Sequence, residues 1–175
     1  MRLFIAIELP KEVVAELARL QKEIDMFGLR MVKEFHLTLK FLGDVPDSKI
    51  EKVKETLRAI KFKSFKAELS ETGVFPNPSY VRVVWAGVKA DPISTLQKEI
   101  ELEFEKMGWG RDKDFKPHLT LARVNFVKDK AALSEKLKSL KAKRIQFDVS
   151  EFRLIKSTLT PTGPAYEAQE TYKAQ

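Results

Sequence analysis

One order of elements runs through this chain twice, and that repetition constrains the fold more than any other feature. Arg2 to Leu9 reads as a strand. Pro10 then opens a helical stretch with Val13, Leu17, Leu20, Ile24 and Phe27 on one face, and Gly28 is its expected C-cap. Phe35 to Val45 is extended, and Ser48 with Glu51 in capping-box register starts a second helix bearing Ile50, Val53, Leu57 and Ile60. Phe65 to Phe75 reads as a strand closed by the turn Pro76-Asn77-Pro78.

The order restarts at Tyr80 with a Val-rich strand to Val88. Asp91 and Pro92 then cap a helix carrying Ile93, Leu96, Ile100, Phe104 and Met107. Phe115 to Val127 is extended, Asp129 caps a helix with Leu133, Leu137 and Leu140, and Ile145 to Thr158 reads as a strand. Even Leu69-Ser70-Glu71 has a counterpart in Val149-Ser150-Glu151. Thr160 to Gln175 carries only a weak edge-strand signal.

Two copies are too few for a solenoid, so facing lobes are expected. The repeats span about 1–76 and 77–175 of a single bilobal domain of 175 residues. Each small sheet would have helices on one face, leaving the other free. The expected fold class is α+β: a duplicated, pseudo-twofold β-α-β-α-β unit, two antiparallel sheets facing a central cleft with helices outside. A concave surface of that kind is a usual ligand site.

Composition narrows the chemistry. The absence of cysteine excludes disulfides, thiolate zinc sites, iron–sulfur clusters and a cysteine nucleophile, and it fits a reducing compartment. The opening apolar run, broken by Glu8 and Pro10, is too short for a signal core or a membrane span. A cytoplasmic protein without a membrane partner is expected. With 32 Lys and Arg against 25 Asp and Glu the net charge is +7, which suits an anionic partner such as RNA or a nucleotide. Abundant Lys and Glu with only two Asn also suit a heat-adapted surface laced with ion pairs.

The two histidines of the chain fall at equivalent points of the repeats, in His36-Leu37-Thr38-Leu39 and His118-Leu119-Thr120-Leu121. Chance would follow both with the same three residues on the order of once in a few thousand chains. In a strand, His36 and Thr38 share one face while Leu37 and Leu39 share the other. Two imidazoles and two hydroxyls would therefore meet at the cleft, with the leucines beneath the helices. One imidazole as base and its partner as acid suit in-line displacement at phosphorus, and the hydroxyls can donate to non-bridging oxygens. A bell-shaped pH profile near neutrality is expected.

Other chemistries lack their residues. No carboxylate stands at metal-ligand spacing on either histidine's strand face, no Gly-x-Ser-x-Gly elbow occurs, and no phosphate-cradling Gly-rich loop is present. No metal and no cofactor are expected. A non-catalytic nucleotide- or RNA-binding module using the same cleft is the alternative to an enzyme.

The paired His-Leu-Thr-Leu motifs, extended by Lys40-Phe41-Leu42-Gly43 and by Ala122-Arg123, resemble the two-histidine phosphoesterase superfamily. They are most similar to the RNA 2′,3′-cyclic phosphodiesterases, also called 2′-5′ RNA ligases. The likeness continues through Gly73-Val74-Phe75-Pro76, Arg82-Val83-Val84-Trp85 and Ser157-Thr158-Leu159-Thr160 with Gly163 and Tyr166. It implies metal-free hydrolysis of a 2′,3′-cyclic phosphate to a 2′-phosphomonoester, with His36 as proton donor, His118 as proton acceptor, and Thr38 and Thr120 holding the phosphate. Reverse 2′-5′ ligation is implied as a possible second activity.

Arg123 matches a phosphate-contacting arginine of that family. Five residues from His118 is nevertheless an odd offset, so an ideal strand would aim it at the opposite face unless a bulge or twist intervenes. Lys40, at an even offset, is expected on the histidine face. Phe41, Phe75, Trp85 and Phe115 are candidates for stacking a base, with core packing the plainer expectation. The implied partners are RNA ends or nucleotides bearing the cyclic phosphate, tRNA fragments among them, met by a monomer.

Overall fold

A computed structural model of the chain describes residues 1–112, 114–161 and 163–175. The elements run β1 (Arg2–Ile7), α1 (Lys11–Ile24), β2 (Leu29–Met31), β3 (Leu37–Asp44), α2 (Asp47–Ala59), β4 (Phe65–Asn77) and β5 (Tyr80–Lys89). They continue as α3 (Asp91–Lys106), β6 (His118–Val124), α4 (Lys130–Ser139), β7 (Gln146–Val149), β8 (Glu151–Thr160) and β9 (Gly163–Lys173). The helices bury their apolar stripes as the spacing predicts: Val13, Leu17, Leu20 and Ile24 in α1, and Ile93, Leu96, Ile100 and Phe104 in α3. Asp129 caps α4 by accepting from the Ala132 N–H at 2.9 Å.

Two antiparallel sheets result, ordered β3-β1-β8-β9 and β2-β6-β5-β4-β7. The fourth strand of each repeat lies in the other repeat's sheet: β4 beside β5, and β8 beside β1. β4 also pairs almost symmetrically with β7, the segment that leads into β8, Phe65 opposite Val149 and Ala67 opposite Phe147, with the Leu69 N–H donating to the Ile145 carbonyl at 2.9 Å. The two Leu/Val-Ser-Glu segments mark the change of partner. In β4 a register shift separates Leu69 from Thr72, and at the matching point Ser150 separates β7 from β8.

The helices exchange as well, α1 packing on β6 and α3 on β3. One continuous core runs under both sheets and includes Leu37, Leu39, Leu119 and Leu121, each almost fully buried. The histidine strands β3 and β6 touch each other across the interface. The sheets' other faces line the central cleft, where a separate small cluster of Phe4, Ala6 and Ile155 carries Tyr166. Among the described residues no helix is long and apolar enough to cross a membrane.

Four local expectations change. Helix α1 stops at Ile24, capped by Asp25, so Gly28 is not its C-cap and Phe27 is 80 % exposed. Gly28 instead takes φ +93°, and a Cβ there would collide with the Phe126 carbonyl oxygen. Helix α2 starts at Asp47 behind Pro46, one residue before the expected Ser48 cap, because extended Pro46 already sets the turn. Asp91 is the first residue of α3, whose N-cap is Ala90. The weak tail signal becomes the 11-residue strand β9, since pairing along β8 and stacking of Tyr172 on Phe152 (5.0 Å) supply what local propensity lacks.

Candidate active site

His36 immediately precedes β3 and His118 opens β6. The His36 ring is wedged between Phe4 and Tyr166, each centroid 4.8 Å away, with Tyr166 edge-on at 84°. The His118 ring meets Phe75 edge-on in the same manner, at 5.0 Å and 89°, and Trp85 at 6.4 Å. Trp85 lies so close over Gly73, its cross-strand partner, that a Cβ on the glycine would collide with the indole. That close approach explains a glycine in a long strand.

Burial sets the protonation of both rings. The aromatic walls push His36 down from 6.5 to about 4. His118 is also lowered, because burial, helped by the positive charges of Arg123 and Lys116, outweighs the opposing pull of the Lys116 carbonyl and of Asp112. Its Nδ1 lies 2.7 Å from the Lys116 carbonyl, which can only accept. Nδ1 therefore carries the hydrogen, and Nε2 is left with a lone pair.

After each motif the strand gains one residue. In β3, Ala6 faces Thr38 but Ile5 faces Lys40, so Leu39 is bulged. In β6, Trp85 faces Thr120 but Val84 faces Ala122, so Leu121 is bulged. Each bulge reverses the alternation that follows it. Arg123 thereby returns to the face of His118 and Thr120, as its effect on His118 records, while Ala122 drops into the core. The odd offset is resolved.

The same device overturns the expectation for Lys40. It is 6 % exposed, and its Nζ lies 2.6 Å from Glu101 Oε2 and donates to the Gly110 carbonyl at 2.8 Å. Gln97 donates to the other Glu101 oxygen at 3.1 Å, so the buried pair is well satisfied. Phe41 takes the cleft position instead, 66 % exposed and 5.9 Å from Phe4. Trp85 is buried, as the plainer reading expects.

The charge of Arg123 is felt by His118 on one sheet and by Tyr166 on the other. With Tyr166 against His36, one guanidinium links the surroundings of both histidines. A pocket of about 310 Å³ opens beside His36, lined by Glu8, Phe35, Ile155 and Tyr166 among others. Among the described residues no cluster of three or more metal-ligating side chains occurs.

The family model described as LigT like Phosphoesterase matches residues 7–85 and again 87–166, one match for each repeat. The chain belongs to this family.

Its relatives include an RNA 2′,3′-cyclic phosphodiesterase of Methanocaldococcus jannaschii, 36% identical and covering 95% of this chain and 97% of that one. Another protein of that name, from Methanothermobacter thermautotrophicus, is 35% identical over 98% of both. Among solved structures, a Thermus thermophilus protein superposes with a TM-score of 0.84 at 31% identity, covering 99% of this chain and 97% of that one. Escherichia coli LigT, crystallised with 3′-AMP, shares the fold with a TM-score of 0.83 at 23% identity, covering 99% and 97%.

Two neighbours of the histidines in this LigT-like phosphoesterase had no role assigned from the sequence. Tyr166 belongs to the weakly signalled tail and reaches His36 only because β9 completes the first sheet. Lys116 holds His118 through its carbonyl, and its ammonium sits 4.4 Å from the centre of the Trp85 ring. Its place two residues before His118 was a usable signal.

Proposed function

We propose that the protein hydrolyses RNA or nucleotide 2′,3′-cyclic phosphates to 2′-phosphomonoesters by two-histidine acid–base catalysis. His118 Nε2 takes a proton from water as its oxygen attacks phosphorus. The P–O3′ bond breaks in line, and protonated His36 gives its proton to O3′. Thr38 and Thr120 donate to the non-bridging oxygens, and Arg123 holds the negative charge that builds there. Water is added across one bond, so protons and charge balance, with no metal or cofactor in any step.

The observation that carries this reading is the tautomer of His118, fixed by the Lys116 carbonyl with Nε2 free to accept. The names of the archaeal relatives supply the substrate class. A 5′-hydroxyl of RNA in place of water would give a 2′-5′ linkage by the same steps, so reverse ligation belongs to the proposal, as do RNA ends as partners. Neutral histidines in the free enzyme are compatible with it, because a bound phosphate anion raises both.

The test is product identity. Incubated in chelator with a 2′,3′-cyclic nucleotide, the protein is expected to release only the 2′-phosphate. Tight binding without turnover would favour the non-catalytic module, and a 3′-phosphate product would reverse the leaving group.

A further inference from the structure

Arg30 of β2 stands directly opposite Arg123 of β6. Residues so paired send their side chains from the same face of the sheet, and like charges there repel. Both are exposed. Leu29 and Met31, on either side of Arg30, pack against the core and so fix its direction.

This juxtaposition stands out against the rest of the chain. Arg19, Arg58, Arg111, Arg144 and Arg153 all sit in ion pairs. Arg2 has Asp44 opposite it in the sheet, and Arg82 lies over the Tyr80 ring at 5.7 Å. Among the described residues Arg30 and Arg123 sit in no ion pair, and each has only the other's like charge across from it. They stand side by side on the face that carries His118 and Thr120. An anion between them would relieve the repulsion, and guanidinium forks suit phosphate oxygens.

We propose that Arg30 binds the phosphodiester preceding the terminal cyclic phosphate, so that Arg30 and Arg123 grip two consecutive phosphates of an RNA end. The assignment rests on the cyclic phosphodiesterase reading above. Arg123, nearer the histidines, takes the reacting phosphate. Arg30 lies one strand further out, on the edge strand β2, and there it meets the RNA chain that the proposal leads out of the cleft. A mononucleotide has no second phosphate for it to hold, so Arg30 would make the enzyme prefer RNA ends over free cyclic nucleotides.

The experiment compares kcat/KM on a 2′,3′-cyclic mononucleotide and on a dinucleotide ending in the same cyclic phosphate, for wild type, Arg30→Ala and Arg30→Lys. In Arg30→Ala the dinucleotide-to-mononucleotide ratio is expected to fall about tenfold, the size of one lost charged hydrogen bond. The salt dependence of the dinucleotide reaction should become shallower by about 0.7 in a log–log plot. Arg30→Lys should keep that salt slope, and a ratio between the other two, because it retains the charge but not the fork. A ratio unchanged in Arg30→Ala, whether both rates fall together or neither falls, overturns the assignment. Wild type inert on both substrates would instead remove the underlying functional reading.

Discussion

Phe41 of β3 and Arg123 of β6 occupy the same position in their strands, each two residues beyond a bulged leucine and each on the cleft side. The duplication thus supplies one geometry twice and fills it differently, with an aromatic ring in one sheet and a cation in the other. Replacing the cation tests that difference. Arg123→Ala is expected to lower kcat/KM on a cyclic mononucleotide about 10- to 100-fold, and Arg123→Lys to recover only part, since it cannot form a bidentate contact. Steady-state kinetics decide, and full activity in Arg123→Ala would place the guanidinium away from the phosphate.

The bulge that frees Arg123 has a twin in β3 that commits Lys40 to the interior. Removing one member of a buried ion pair leaves the other uncompensated, at a cost of about 3–5 kcal/mol. Lys40→Met is therefore expected to destabilise the fold by that amount in denaturant titration. Lys40→Met combined with Glu101→Leu should recover most of it, because an apolar pair of similar volume replaces the ions. A double variant no more stable than the single would show that the cost is lost packing.

Burial disfavours the charged imidazole, so both histidines titrate below their ordinary value, His36 at about 4. The proposed mechanism requires a free enzyme with one ring protonated and one neutral, and this form is most populated between the two pKa values. The kcat/KM bell expected near neutrality from the sequence therefore moves to the acid side. Its maximum should fall below pH 6.5, with a loss of about tenfold per pH unit well above it. The kcat profile, which reports the complex, should lie at higher pH because bound phosphate favours both imidazolium forms. A pH–rate series from 4 to 9 checks both, and a flat kcat/KM profile contradicts the pairing of acid and base.

Much of this was legible in the sequence, and the limits have physical causes. Helical periodicity gave the four helices, and strict alternation put His36 with Thr38 and His118 with Thr120. Alternation failed at Lys40 and Arg123 because a bulge is a property of two strands, set by how β3 fits β1 and β6 fits β5. It was equally silent on the exchange of β4 and β8, since period-2 patterning says which face is buried and not which strand lies alongside. The matched serines Ser70 and Ser150 sat at the crossing points, but only the pairing showed what they mark. Strand β2, three residues long, left no periodic trace, and Arg30 was missed with it.

The central claim is that His36 and His118 act as an acid–base pair on a cyclic phosphate. The most direct measurement is the single-turnover rate of 2′,3′-cyclic nucleotide hydrolysis, in chelator, for wild type, His36→Ala and His118→Ala. Each variant is expected to lose a factor of about 10² to 10⁴ while still folding. The double variant should lose little more than the worse single one, because the two act as a unit. Turnover at the wild-type rate in either single variant would contradict the account.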